Sequence, residues 1–416
     1  MELDYPQGMT WTCFLCGLTE GRRLNRRRRP NLSTGRAGSP LDPRPGGGLP
    51  GLRVALCILA LVLGVLWAVP ARAASDNGGL GLLPIGDQFP PKLKFLTFTP
   101  EPVLSLSAGT FQFDYQFAVA NTIVNTQYDP HNGTPKITQT QVTQGLTAAN
   151  FPAIGFGAYL DMETERQLLR FRLGVGGGVE LGLDQGWVSF GGGGLDSSID
   201  SVEGGFNGRN PERVHVAKNQ FHYYVYHNGR ALVATSAPVG DVAQDPVLSL
   251  KWNPSPGGEL LPALGVRLAY KAPLDSATGT ARSLVSSGHD DWGYSVLLSK
   301  AVGRVIAHLQ MGESLLSGTG SDYVSSVRHQ FFGLEFRTSN SSSVVFQTSS
   351  QSTVYNVGNV PGSSGDFQVS RPADVFSLGY KYSGSGFRMD LGITEDYNSR
   401  ENTTDFLLFF DLGWRW

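Results

Sequence analysis

The chain has 416 residues, 33 basic and 35 acidic, a formal net charge of −2, 40% hydrophobic residues and 53 glycines. That charge balance argues against nucleic acid as a partner, and the hydrophobic share is low for a membrane protein built of helices. The length suits one barrel or two ordinary domains.

The first element is an apolar run, Val54 to Val69, preceded by Arg53 and followed by Pro70 and Ala71-Arg72-Ala73. A basic segment, a short apolar core and an A-x-A site describe a secretory signal peptide cut near Ala73. The run is short for a spanning helix, which needs about 20 residues. The arginine-rich first fifty residues read as an extension upstream of that signal, from a start codon assigned too early. Cys13, Cys16 and Cys57 all lie in residues 1–73. The C-x-x-C they include has no second pair with which to hold a metal. Removing 1–73, with its ten arginines and four acidic residues, leaves 343 residues, 23 basic and 31 acidic, net −8. A chain without cysteine suits an oxidising compartment.

Residues 74–105 are rich in Gly and Pro with little periodicity, and read as an irregular lead-in and a candidate lumen segment. Alternation begins at Thr110: Phe111, Phe113, Tyr115, Phe117 and Val119 alternate with Gln112, Asp114, Gln116, Ala118 and Ala120. A two-residue period marks a strand with unlike faces. Strands follow near 158–173, 179–190, 219–227, 230–236, 246–252, 263–271, 292–300, 304–313, 324–338, 343–352, 373–383, 387–397 and 404–416. Residues 106–416 therefore read as an all-β, antiparallel, up-and-down transmembrane β-barrel of about fourteen strands, with twelve as the alternative. Connections after even-numbered strands are short, and Asn228-Gly229 is a strong hairpin signal. Those after odd-numbered strands are mostly long: 122–157, 191–218, 272–291 and 353–372. Short turns inside and long loops outside is the layout of an outer-membrane barrel.

The last eleven residues complete the pattern. Phe406, Leu408, Phe410, Leu412, Trp414 and Trp416 share one apolar face, and the faces between hold Phe409, Asp411, Gly413 and Arg415. The stretch has the length of a tilted membrane strand and resembles the C-terminal assembly signal of Gram-negative outer-membrane barrels. It places the mature chain in the outer membrane, with lipid and the barrel-assembly machinery as partners and a monomer as the expected state. Arginine at Leu408 or Phe410 should be costly in lipid, and at the lumen-facing Phe409 better tolerated.

Leu160-Asp161-Met162-Glu163 through Arg166, the Gly-rich turn after it, and Gly194-Leu195-Asp196 with Ile199 resemble a bacterial outer-membrane family of unknown function. Gly240-Asp241, Pro262-Ala263-Leu264 with Lys271-Ala272-Pro273, and Gly288 to Asp291 are similar to outer-membrane barrels named for phenol degradation by the meta pathway. The resemblance covers most of 105–416 and implies the barrel and its location. It supplies no activity and no site: where such families continue with a His after the Leu-Asp segment, this chain has Val202-Glu203.

If the apolar faces meet lipid, the opposite faces line the lumen. That set holds Asp114, Arg166, Arg170, Arg172, Glu180, Asp184, Lys381, Arg388, Asp390, Asp411 and Arg415. Two readings stay open: a lumen that orients a polar or charged solute, and a salt-bridge ladder that satisfies a filled lumen. Mixed signs fit the ladder, since one-signed rings mark selectivity better. The seven histidines have no metal-ligand spacing, no His-x-Ser occurs, and the acidic 191–210 loop lacks the spacing of a calcium loop. No catalytic residue, metal or cofactor is expected. The functional expectation is a porin-like passive channel for a small solute, with a filled barrel of structural or surface-interaction role as the alternative and an enzyme third.

Overall fold

Residues 78–125, 128–129, 134–135, 141, 156–197, 199, 217–227, 230–234, 236–274, 279–320, 322–356, 372–397 and 402–416 are described by a computed structural model. The signal peptide, its cleavage site, Val202-Glu203, Asn228-Gly229 and most of the long loops lie outside them.

Twelve antiparallel strands close into a barrel: β1 (Phe111–Asn125), β2 (Phe156–Gly176), β3 (Val179–Gly191), β4 (Val247–Ser255), β5 (Ala263–Lys271), β6 (Asp291–Val302), β7 (Val305–Leu316), β8 (Ser326–Arg337), β9 (Ser342–Gln351), β10 (Ala373–Gly384), β11 (Phe387–Asp396) and β12 (Phe406–Arg415). Each pairs with the next, and β12 closes on β1 from Gln112 opposite Arg415 to Asn121 opposite Phe406. Closure leaves no row of unpaired backbone groups around the wall, the condition for a sheet to sit in hydrocarbon.

The count settles on twelve, not fourteen. His222–His227 and Arg230–Ala234 do form strands, but they pair with each other and with only the first turn-distal residues of β2, Phe156 to Asp161. They extend β2 beyond the barrel. A third short strand, Val242–Ala243, pairs with Val188 and Trp187 of β3 just before β4 begins. The two-residue strands Tyr128–Asp129 and Thr134–Pro135 form a separate pair.

The faces follow the two-residue period. Leu181, Leu248, Val296, Phe332, Phe346, Leu378, Leu391, Leu408 and Phe410 stand outward, each at least 39% exposed, while their neighbours in sequence turn inward. Aromatic residues gather at both rims. Phe111 stacks on Trp416 and Phe387 meets Trp414 at the turn end, and Tyr270 contacts Trp292 at the loop end. An apolar belt between aromatic girdles around a polar interior is how a barrel meets a bilayer. The protein is an outer-membrane β-barrel.

Candidate functional site: a lumen occupied by the N-terminal segment

Residues 78–106 run inside the barrel. The segment starts near the turn end, where Leu80 and Gly81 donate to Glu335 of β8 at 3.0 Å each. It rises past Gln347 of β9 and reverses at the loop end through a 3-10 turn, Pro90–Lys92. It then descends past Asp291, Gln310 and Lys251, and ends where Leu106 donates to Glu180 at 2.9 Å. Prolines at 84, 90, 91, 100 and 102 keep it from continuing as a strand.

An extended segment without a sheet partner must place its N–H and C=O groups elsewhere, and here the lumen side chains take them. Gln347 accepts from Leu83 N–H at 3.0 Å and donates to Ile85 C=O at 3.2 Å. Lys381 donates to Leu82 C=O and Gln116 to Pro84 C=O, both at 2.8 Å. Lys271 donates to Lys94 C=O at 2.7 Å, and Gln310 accepts from Glu101 N–H at 3.0 Å. Lys92 at the apex donates to Asp87 and to Asn402 C=O at 2.7 Å; burial pushes its ammonium down from the ordinary lysine value, against the pull of Asp87.

Apolar side chains of the segment fill the gaps. Leu82, Leu83, Ile85, Leu96 and Phe98 cluster with Ala118, Ala120, Phe331, Val345, Leu407 and Phe409 of the wall. Inward-facing glycines make the room. A Cβ at Gly333 would lie 2.4 Å from Leu82, at Gly379 2.7 Å from Leu83, and at Gly293 2.6 Å from Phe98. Phe409 does face inward, but it is 5% exposed within this apolar cluster, so the lumen at that height offers no solvent for a charge.

Among the described residues, three groups of lumen charges stand out. Nearest the descending limb, Arg172, Lys251 and Arg267 face Glu180, Asp184 and Glu101. Lys251 reaches Glu180 at 2.9 Å, Arg172 pairs with Asp184, and Arg172 and Arg267 meet Glu101 at 2.8 and 3.2 Å. Burial alone would raise Glu101, but Arg267, Arg172 and Lys251 hold its carboxyl well below the usual range. A second group joins Lys381 and Arg388 to Asp390 at 2.8 and 2.9 Å, with Arg388 3.7 Å from Asp114. Arg170 pairs with Asp411. A third holds Lys271 to Asp291 at 2.9 Å and to Asp245 at 3.5 Å near the loop end.

The family profile for DUF3187, a protein family of unknown function, matches residues 130–416. The chain belongs to DUF3187. No curated protein matches it in sequence. Among solved structures, the COG4313 outer-membrane channel from Pseudomonas putida F1 is similar, with a TM-score of 0.43 and 10% identity over 77% of this chain and 100% of that one. The CymD monoaromatic hydrocarbon channel gives 0.32 and 11% over 74% and 88%. A FadL homologue of Pseudomonas aeruginosa gives 0.33 and 12% over 84% and 98%.

In this DUF3187 barrel the sequence-derived lumen residues divide. Arg172, Glu180 and Asp184 come together, as do Lys381, Arg388, Asp390 and Asp114. Arg170 reaches across β1 to Asp411. Arg166 stands apart and donates to Gln244 at 2.7 Å, and Arg415 sits exposed at the turn-end rim, bonded to Gln112 at 2.8 Å. Lys251, Arg267, Lys271, Asp291, His308 and Glu335 also face inward and are buried, and sequence reasoning passed over them. The two-residue period would have found each. His308 bridges Ser299 at 2.7 Å and Glu335 at 3.0 Å. Glu335 also accepts from Ser343 and from the segment's Leu80 and Gly81, which makes it a clamp on the segment.

Proposed function

We propose that the protein is an outer-membrane channel for a small solute, closed in this state by its own residues 78–106. One observation carries the reading: the segment occupies the lumen yet lends no strand to the wall, which closes through β1 and β12 without it. Its attachment runs through side-chain hydrogen bonds, ion pairs and apolar packing rather than a strand ladder, a kind of contact that can be released without unravelling the sheet. Two spaces beside the segment hold roughly four waters each, which fits a lumen narrowed by it. Passage therefore requires the segment to move.

The filled lumen also supports the alternative, a permanently closed barrel acting through its loops. Single-channel recording in planar bilayers separates them. Residues 74–416 should show rare, brief openings, and a chain lacking residues 78–104 should conduct continuously. A shortened chain that folds, judged by heat-modifiable migration, and still fails to conduct would refute the channel.

A further inference from the structure

We infer that Arg172, Lys251 and Arg267 form a binding site for the carboxylate of an apolar, ring-bearing solute, held in this state by Glu101 as an internal stand-in; the inference rests on the channel reading above. The wall contributes three cations here but only two carboxylates of its own, Glu180 and Asp184. The third negative charge comes from the N-terminal segment rather than from the wall. Glu101 Oε1 takes both guanidiniums, at 2.8 Å from Arg172 and 3.2 Å from Arg267, and Oε2 lies 3.9 Å from Lys251. When the segment leaves, a buried cation is left without a counter-charge, which is costly in a low-dielectric site. An anion that replaces Glu101 removes that cost, so the site favours a charged ligand over a neutral one.

The shape beside the charge sets the rest of the ligand. Phe98, three residues before Glu101, lies with its ring centroid 5.3 Å from the Arg267 guanidinium and edge-on to His329 at 5.8 Å. Its ring fills the space left by the missing Cβ of Gly293. The segment thus presents a ring and a carboxylate together, and the wall holds a matching slot and three matching cations. Arg267 Nε has no hydrogen-bond partner among the described residues, so the site has donor capacity that Glu101 leaves unused. The cluster also borders two lumen cavities: Arg267, Asp184 and Phe98 line one, and Glu101, Arg172 and Lys251 line the other.

Calorimetry with benzoate and its neutral isostere benzamide on residues 74–416 in detergent micelles tests the site. Glu101→Gln removes the internal competitor while keeping its size, so benzoate should bind this variant at least about tenfold more tightly than it binds the unaltered chain, because occupation by the competitor lowers apparent affinity. Adding Lys251→Met should remove the gain, and benzamide should show none. Equal gains for benzamide, equal gains for chloride, or no gain for benzoate would overturn the proposal. Should Glu101→Gln fail to fold, the unaltered chain gives the answer: benzoate and not benzamide should speed amide exchange at Glu101 to Leu106, and unchanged exchange would count against the site. Benzoate binding in a barrel that never conducts would leave the site and remove the channel; a conducting shortened barrel with no benzoate preference would do the reverse.

Discussion

Leu408 and Phe410 stand outward from β12 at 40% and 39% exposure, while Phe409 between them is 5% exposed against the N-terminal segment. Arginine at Leu408 puts a charge in the apolar belt and should cost about 2–4 kcal/mol near the midplane, seen as a loss of heat-modifiable, membrane-inserted protein. Arginine at Phe409 meets no lipid, but it displaces a ring packed in the cluster of Leu82, Leu83 and Ile85. The barrel should still insert, and the segment should become sensitive to protease. Normal insertion with a fully protected segment would mean that the lumen is roomier at this height than the packing implies. The direction of both side chains was legible from alternation alone. What they face was not, because alternation separates two faces without saying what fills the space behind either.

At the scale of elements the wall and the segment differ in how far the sequence discloses them. Strand pairs follow chain order: eleven of the twelve pairings join consecutive barrel strands, across short turns at one end and mostly long loops at the other. The short strands at 222–227 and 230–234 carry the same local signature as a barrel hairpin, and only their partner, the far end of β2, sets them outside the wall. The segment has no period, and it is held by groups such as Glu335, Gln347 and Lys381 more than 250 residues away. Glu101 makes that attachment measurable. Its folded value lies below the ordinary 4.5 of a free glutamate, so its contribution is complete above about pH 4.5 and is lost as the pH falls through the lower folded value. The melting temperature of the unaltered chain should exceed that of Glu101→Gln at pH 7, and the difference should shrink as the pH drops below about 4.5. Other carboxylates titrate in both proteins and largely cancel. A difference that stays constant down to pH 2 would show that the charge of Glu101 does not hold the segment.

For the whole molecule the last strand decides whether the wall closes. β12 is the closing strand, bonded to β11 on one side and to β1 on the other. Removing residues 406–416 exposes the edges of β1 and β11, and unpaired backbone in hydrocarbon costs several kcal/mol per group. That truncated chain should fail to form a heat-modifiable barrel both in cells and on refolding into detergent. Trp416 is different. Its backbone exchanges two hydrogen bonds with Phe111, at 2.9 and 3.0 Å, and its side chain is 69% exposed, stacked on the Phe111 ring 5.8 Å away. Trp416→Ala keeps the ladder bonds and loses one exposed ring contact, so refolding into detergent should proceed to nearly the same yield. If the terminal aromatic serves as a signal for the assembly machinery, the same variant should accumulate poorly in the outer membrane of living cells. Equal loss in both settings would make Trp416 a structural rivet, and loss in neither would refute a signal at the terminal aromatic.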